Sequence, residues 1–111
     1  MSGMEAPNFF EIAELVSSRN KSGKAYLEFL RVSSLSAGVY VLAAGSTDTQ
    51  KPHQEDEMYY VVRGRARMRI GGKDQSVTAG SVIFVAANVK HDFFEITEEL
   101  VVLVFFAPAE S

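Results

Sequence analysis

Short runs of β-branched and aromatic residues dominate this sequence from residue 25 onward, and turn-forming residues separate them. Such spacing predicts an all-β sandwich or barrel. At 111 residues, the chain has the length of one domain with one hydrophobic core. The runs are AYLEFLRV, GVYVLAAG, MYYVVRG, ARMRIGG, SVIFVAA, HDFFEI and LVVLVFF.

The segment before these runs has a different pattern, which predicts one short amphipathic helix. In PNFFEIAELVSS, Asn8 is a candidate N-cap with Glu11 three residues later, and apolar residues stand at positions 9, 12, 13 and 16. The polar stretch SSRNKSGK then predicts a loop. We therefore expect an N-terminal arm over residues 1–24 and a β domain over residues 25–111.

Two of the runs predict which of their faces are buried. RARMRI alternates, so it predicts a strand with its arginines on a solvated face and Ala66, Met68 and Ile70 facing inward. LVVLVFF does not alternate, so both of its faces should be covered. Either the N-terminal helix or a second subunit could cover the outer face, and we expect a homodimer.

The composition limits the chemistry that is open to the chain. It has no cysteine, so disulfides, thiolate nucleophiles and sulfur-ligated metals are excluded, and imidazole and oxygen remain as ligands. The net charge of −3 and the lack of a basic block argue against a nucleic-acid partner. No basic leader precedes an apolar run, and no stretch approaches the roughly 20 apolar residues that span a bilayer. We expect a cytoplasmic protein with no membrane partner.

The stretch KPHQEDEMYYVVRG places His53 and Glu57 at the start of an apolar run. An acidic cluster of this kind is ordinarily a solvated loop. However, the two residues are four apart, and an even spacing points both side chains to the same side of an extended strand. The pair could therefore face the interior together.

This stretch resembles the first sequence signature of the cupin superfamily, in which a glycine is followed by a His-x-His pair, a glutamate and a closing glycine. Gly45, His53, Glu57 and Gly64 stand at the matching intervals. The position of the first histidine of the pair is occupied by Lys51.

A later stretch, GSVIFVAANVKHDFFE, resembles the second cupin signature. Gly80 and His91 match it, whereas Ala86 stands in place of a proline and Asn88 in place of a glycine. Asparagine tolerates a left-handed backbone, so the turn before His91 can still form. The resemblance covers residues 36–106, and the 15 residues between the two signatures are typical of small single-domain bacterial cupins. It implies a jelly-roll β-barrel or sandwich.

The resemblance also implies a metal site. Lys51 is the most serious departure, because a protonated amine cannot coordinate a metal. What remains is a two-histidine, one-carboxylate set of His53, Glu57 and His91, which suits a divalent ion such as Fe, Mn, Ni or Zn and leaves coordination positions open. Glu55 shares the parity of His53 and is an alternative ligand.

Two residues are candidates for catalysis beside the metal. Lys51 shares the parity of His53, so its amine could approach the metal and favour a small anionic ligand; alternatively, its side chain extends into solvent. Tyr59 shares the parity of Glu57 and could line the cavity, or it could be an ordinary core residue.

The family resemblance does not select a reaction, because cupins include dioxygenases, isomerases, lyases and proteins that only bind ligands. The first hypothesis is a metalloenzyme, dioxygenase-like, that binds a small oxygenated organic molecule at the open positions of the metal. The alternative is a non-catalytic small-molecule-binding or sensory module with a weakened metal site.

Overall fold

One helix and six β-strands make up the regular structure of residues 8–111, the part of the chain that the computed structural model describes. Every pair of hydrogen-bonded strands is antiparallel. The elements are α1 (Ile12–Ser22), β1 (Tyr26–Val32), β2 (Leu35–Leu42), β3 (Asp56–Ile70), β4 (Lys73–Thr78), β5 (Val82–Val85) and β6 (His91–Ala107).

The strands form a single sheet in the order β1-β2-β6-β3-β4, and β5 pairs with the first part of β3. The two longest strands, β3 and β6, pair along nearly their whole lengths, so the start of each lies beside the end of the other. Nevertheless, Glu57 near the start of β3 contacts His91, the first residue of β6. The sheet must therefore curve until both strand starts face each other across the interior.

The curved sheet encloses the main hydrophobic core, to which strands β2 to β6 all contribute side chains. Its largest fully buried members include Tyr59, Met68, Phe93 and Leu100. The prediction of an all-β fold is therefore confirmed.

The sequence runs and the observed strands differ in number. MYYVVRG and ARMRIGG form one strand, β3, which passes through Gly64 at a φ of 105°. HDFFEI and LVVLVFF likewise form one strand, β6. The sequence runs did not predict β4, because only Val77 of its six residues is buried and the rest of KDQSVT is polar and exposed.

The helix lies further along the chain than the sequence predicted. It begins at Ile12, with Glu11 rather than Asn8 at the N-cap, and Glu11 makes no side-chain capping hydrogen bond. It continues to Ser22, so the predicted loop SSRNKSGK is mostly helical. Gly23 then ends the helix in a left-handed conformation, with a φ of 73°. Residues 1–7 of the predicted arm, which spans residues 1–24, lie outside the described part of the chain.

Helix α1 covers part of the outer face of the sheet. Val16 packs there against Val39, Val41 and Val101 in a second buried cluster. Val101 belongs to the non-alternating run LVVLVFF, whose outer face was predicted to need cover, and the helix supplies cover at this position. The division of the chain into an arm up to residue 24 and a β domain from residue 25 stays a prediction.

The alternating run RARMRI confirms its predicted orientation. Ala66 and Met68 are buried, whereas the arginines lie on the outer face. Each pairs with an acidic side chain on the surface: Arg65 with Glu98, Arg67 with Asp74 and Arg69 with Asp92. Exposed pairs of this kind contribute about 0–1 kcal/mol each, so this face has little influence on the fold. No helix among the described residues has the length and hydropathy needed to cross a lipid bilayer.

Candidate metal centre

Three side chains that the sequence proposed as ligands meet inside the barrel. His91 Nε2 lies 3.0 Å from Glu57 Oε1, and His53 Nε2 lies 3.9 Å from the same oxygen. One ligand atom from each of the three residues lies within 4.8 Å of the other two. His53, Glu57 and His91 therefore form one compact donor set.

Different parts of the fold hold the three side chains in place. Glu57 is the second residue of β3 and points inward, His91 opens β6, and His53 lies in the loop before β3. The loops that carry the two histidines are joined by a backbone hydrogen bond, which the amide of Asn88 donates to the carbonyl of His53. Asn88 has a φ of 67°, so the predicted left-handed turn before His91 is confirmed.

The outer nitrogen of each imidazole has its own partner. His91 Nδ1 lies 2.8 Å from the carbonyl oxygen of Val89, which can only accept a hydrogen bond. His53 Nδ1 lies 3.1 Å from a carboxylate oxygen of Glu110. In the neutral imidazoles these contacts place the proton on Nδ1, so that both Nε2 atoms present lone pairs to the interior.

Two atoms of the donor set lack a hydrogen-bond partner in the described part of the chain. Glu57 Oε1 and His91 Nε2 are both buried and lie 3.0 Å apart. When His91 is neutral with its proton on Nδ1, this contact joins two lone pairs, whereas a proton on Nε2 makes it an ion pair. Buried polar atoms without partners are rare and costly in folded proteins. A divalent cation would satisfy both atoms, so the residues present fit a metal ion.

The pKa of His91 reflects the same surroundings. Burial by itself would lower this pKa, but the Glu57 carboxylate and the Val89 carbonyl stabilise the charged ring, and their combined effect raises the pKa above its ordinary value. Without metal, His91 therefore holds a proton more strongly than a free histidine does. A metal must displace that proton to bind.

Comparison with known proteins identifies the family of this chain. Residues 38–106 match the sequence model of the family described as Cupin domain, which is more than half of the chain. The chain belongs to the cupin family. Both signatures and all three donor residues lie inside the matched region of this cupin.

Its similarity to individual proteins points to small cupins. An uncharacterized protein of Streptomyces coelicolor, SCO3923, is 49% identical over 102 residues, which cover 92% of this chain and 97% of that protein. The structure of TT1209 from Thermus thermophilus has a TM-score of 0.74 at 23% identity and covers 91% of this chain and 97% of that one. The structure of the DMSP lyase DddQ from Ruegeria pomeroyi has a TM-score of 0.65 at 22% identity and covers 68% of this chain and 39% of that one. These structural likenesses show the fold, and the jelly-roll prediction is confirmed.

The donor set opens into a cavity of about 160 Å³. Phe106 and Val104 give it an apolar wall, and Gln50 and Glu110 line it together with His53 and Glu57. The tyrosines Tyr26, Tyr40 and Tyr59 also line it. This cavity is small and only partly polar, so it suits a ligand of few heavy atoms.

Tyr59 lies where the sequence suggested, with its ring fully buried beside the donor set. Its hydroxyl donates a hydrogen bond of 2.9 Å to Gln50 Oε1. Burial and then the nearby charge of Glu57 raise the pKa of Tyr59 well above its ordinary value, so the hydroxyl keeps its proton at neutral pH. A catalytic role for Tyr59 stays a prediction.

The structure does not bring Lys51 or Glu55 into the donor set. Lys51 is exposed and lines a second cavity, of about 520 Å³, on the other side of Gln50 and His91. Glu55 is buried, but its carboxylate accepts hydrogen bonds of 3.1 and 3.0 Å from the backbone and hydroxyl of Ser111. The exposure of Lys51 favours the alternative in which its side chain extends into solvent.

Three residues of the site were not identified from the sequence. Gln50 and Tyr26 line the cavity, and Glu110 orients His53 from the opposite end of the chain. Burial raises the pKa of Glu110 above its usual range, with a partial offset from His53. Gly38 offered one signal: a Cβ at this strand position would lie 2.3 Å from the Tyr26 hydroxyl oxygen, so a glycine is needed for the tyrosine to fit.

Proposed function

We propose that this cupin binds one divalent metal ion, of the Fe, Mn, Ni or Zn type, through His53, Glu57 and His91. The observation that carries the proposal is the convergence of three donor atoms, two of them buried without a hydrogen-bond partner in residues 8–111. A bound metal ion polarises an oxygen atom of a substrate, and it binds such an oxygen at positions that the protein leaves free.

The ligand in this proposal is a small oxygenated organic molecule. The cavity of about 160 Å³ admits only a compact molecule. Tyr26 supports an oxygen-rich ligand, because its hydroxyl is buried at the cavity wall and has no partner among the described residues. That hydroxyl can donate a hydrogen bond to a ligand oxygen, and Phe106 and Val104 give the same cavity apolar surface.

An anionic ligand is the more specific form of the proposal. The second cavity, beside the donor set, is lined by three basic and two acidic side chains, a balance of +1: Lys51, Lys90, Arg69, Asp48 and Asp92. Asp92 pairs with Arg69 at 3.1 Å. Excess positive charge at a cleft raises the local concentration of small anions. We propose that Lys51 attracts anions at this second cavity, and that Tyr59 acts at the first cavity through the protonated hydroxyl that donates to Gln50.

Catalysis of the dioxygenase, isomerase or lyase type is the first candidate, and the likeness to a DMSP lyase shows only that this fold can carry lyase chemistry. The second candidate is a non-catalytic ligand-binding or sensory module. The loss of the first signature histidine at Lys51, together with the exposure of this lysine, favours it. Both candidates use the same metal and the same cavity.

We also propose that the protein is a cytoplasmic homodimer. Helix α1 leaves part of the outer face uncovered, where Met58, Tyr60, Val82 and Phe84 are 41–62% exposed. Met58 pairs with Phe84 and Tyr60 with Val82 across β3 and β5, so the four side chains form one patch. A second subunit would remove this apolar surface from water. The lack of cysteine suits a reducing compartment.

A titration of small carboxylates into metal-loaded and metal-stripped protein tests the function. We expect calorimetric binding only with metal present, and weaker binding for Lys51→Met, which keeps the apolar stem and removes the charge. Oxygen consumption or substrate loss after addition of a binding carboxylate would favour the enzyme, and binding without turnover would favour the module. Equal carboxylate binding with and without metal would contradict the proposal.

A further inference from the structure

The side chain of Gln50 is held beside the donor set by a chain of directed hydrogen bonds. Gln50 Nε2 donates to Asp48 Oδ2 at 2.7 Å. Asp48 is itself buried and accepts three further hydrogen bonds, from the hydroxyl of Tyr40 at 2.8 Å and from the backbone amides of Phe93 at 2.9 Å and Gln50 at 3.2 Å. Because a carboxylate can only accept, this network determines which end of the Gln50 amide faces Asp48.

The oxygen of Gln50 consequently faces the cavity. Gln50 Oε1 accepts a hydrogen bond from the Tyr59 hydroxyl at 2.9 Å and lies 3.4 Å from His53 Nε2. A carbonyl oxygen has two lone pairs, and Tyr59 uses one of them. When the proton of a neutral His53 is on Nδ1, facing Glu110, neither Gln50 Oε1 nor His53 Nε2 carries a proton. Their contact then joins two hydrogen-bond acceptors without a proton between them.

From this convergence of acceptors we infer that Gln50 Oε1 is a fourth protein ligand of the metal. Ligand atoms that share a metal at about 2.0–2.2 Å lie about 3.0–3.5 Å from one another, because tetrahedral and octahedral edges have these lengths. The 3.4 Å between Gln50 and His53 and the 3.0 Å between Glu57 and His91 fall in this range, and the 3.9 Å between His53 and Glu57 exceeds it. Gln50 Oε1 therefore lies closer to His53 Nε2 than Glu57 Oε1 does. The inference rests on the proposed metal site.

Gln50 in this way compensates for the ligand that the chain lacks at Lys51. The lysine is exposed and does not line the cavity of the donor set, and the preceding residue supplies an oxygen instead. An amide oxygen is a harder and weaker donor than imidazole, so the set of two nitrogens and two oxygens differs in ligand preference from a three-histidine site. Asp48 acts as a positioning residue, since it holds the amide in the ligating orientation.

Competitive titration of metal-stripped protein with Co²⁺ and a chromophoric chelator tests the inference. The variants are Gln50→Leu, which keeps the side-chain volume and removes the oxygen, and Gln54→Leu, the matched control at an exposed glutamine on the same loop. We expect Gln50→Leu to weaken Co²⁺ binding about 10- to 100-fold and to change the visible Co²⁺ spectrum, with Gln54→Leu like wild type. Thermal unfolding without metal reports whether each variant is folded.

Further variants distinguish metal ligation by Gln50 from its hydrogen bond with Tyr59. Tyr59→Phe removes the hydrogen bond to Gln50 Oε1 but leaves the oxygen, so it should weaken Co²⁺ binding less than Gln50→Leu does and give a different spectrum from Gln50→Leu. Gln50→Asn retains the amide on a shorter arm and should also bind weakly, which covers the case in which Gln50→Leu does not fold. Binding by both Gln50 variants within twofold of wild type, or a Tyr59→Phe spectrum equal to that of Gln50→Leu, would overturn the inference. Absence of Co²⁺ binding in wild type would instead refute the proposed metal site, and the inference with it.

Discussion

Replacement of Gly64 by alanine should destabilise the fold strongly, for two separable reasons. The residue lies in β3 at a φ of 105°, which L side chains rarely adopt. In addition, a Cβ at this position would lie 2.2 Å from the carbonyl oxygen of Glu99 and 2.7 Å from the Cα of Leu100, both backbone atoms of β6. No side-chain rotation can relieve such a contact, so the two strands would have to move apart.

The magnitude follows from the separate contributions. Positive-φ strain for a non-glycine residue costs about 1–3 kcal/mol, and forced overpacking adds about 1–3 kcal/mol. The lower entropy of the unfolded alanine chain returns about 0.4–1 kcal/mol. The net loss of unfolding free energy is therefore about 1–6 kcal/mol, to be compared with the roughly 5–15 kcal/mol that holds a typical domain folded.

Urea unfolding at 25 °C can measure this loss against two matched controls. Gly80 has a φ of 93° and open space around its Cβ position, so Gly80→Ala carries the strain alone. Gly72 has neither feature, so Gly72→Ala should change the unfolding free energy by less than about 0.5 kcal/mol. We expect the losses to fall in the order Gly64, Gly80, Gly72. Equal losses for Gly64→Ala and Gly80→Ala would refute the argument from close strand contact.

Three further predictions concern the site and the surfaces. In metal-stripped protein the raised pKa of His91 stabilises the folded state at low pH, so the unfolding free energy should fall as the pH rises through that pKa. Urea titrations at several pH values can measure this fall, and Glu57→Gln should make it smaller. Val16→Ala, which uncovers the outer face of β2 and β6, should cost about 1.6 kcal/mol in the same assay, and an unchanged midpoint would contradict the packing of α1. Light scattering should give twice the chain mass of 12.2 kDa, and Tyr60→Lys with Phe84→Lys should halve it; a wild-type monomer would contradict the homodimer.

Local sequence patterns predicted which side chains at the start of β3 face the interior. Inward parity placed Glu57 and Tyr59 inside, because strands have a fixed side-chain period. The position of His91 beside Glu57 was implied by the resemblance to the two cupin signatures. The helix start was misplaced, since packing of Val16 on the sheet, and not the capping pattern at Asn8, determines which turns are stable.

The remainder of the site depends on contacts between distant parts of the chain. Glu110 reaches His53 only because the end of the chain returns to the cavity, and no local pattern records such a contact. Gln50 is adjacent to the signature position at Lys51, but its orientation is determined by the buried Asp48. Strand β4 was missed for a simpler reason: its mostly exposed residues carry no hydrophobic periodicity.

Metal content measured by elemental analysis tests the central claim most directly. After reconstitution and removal of free ions, wild-type protein should carry about one divalent metal ion per chain, and His53→Ala and His91→Ala should each lose most of it, because each removes a donor atom from the set. An exposed control, Lys51→Met, should keep the wild-type content. Wild-type protein without metal, or full occupancy in both histidine variants, would contradict the account.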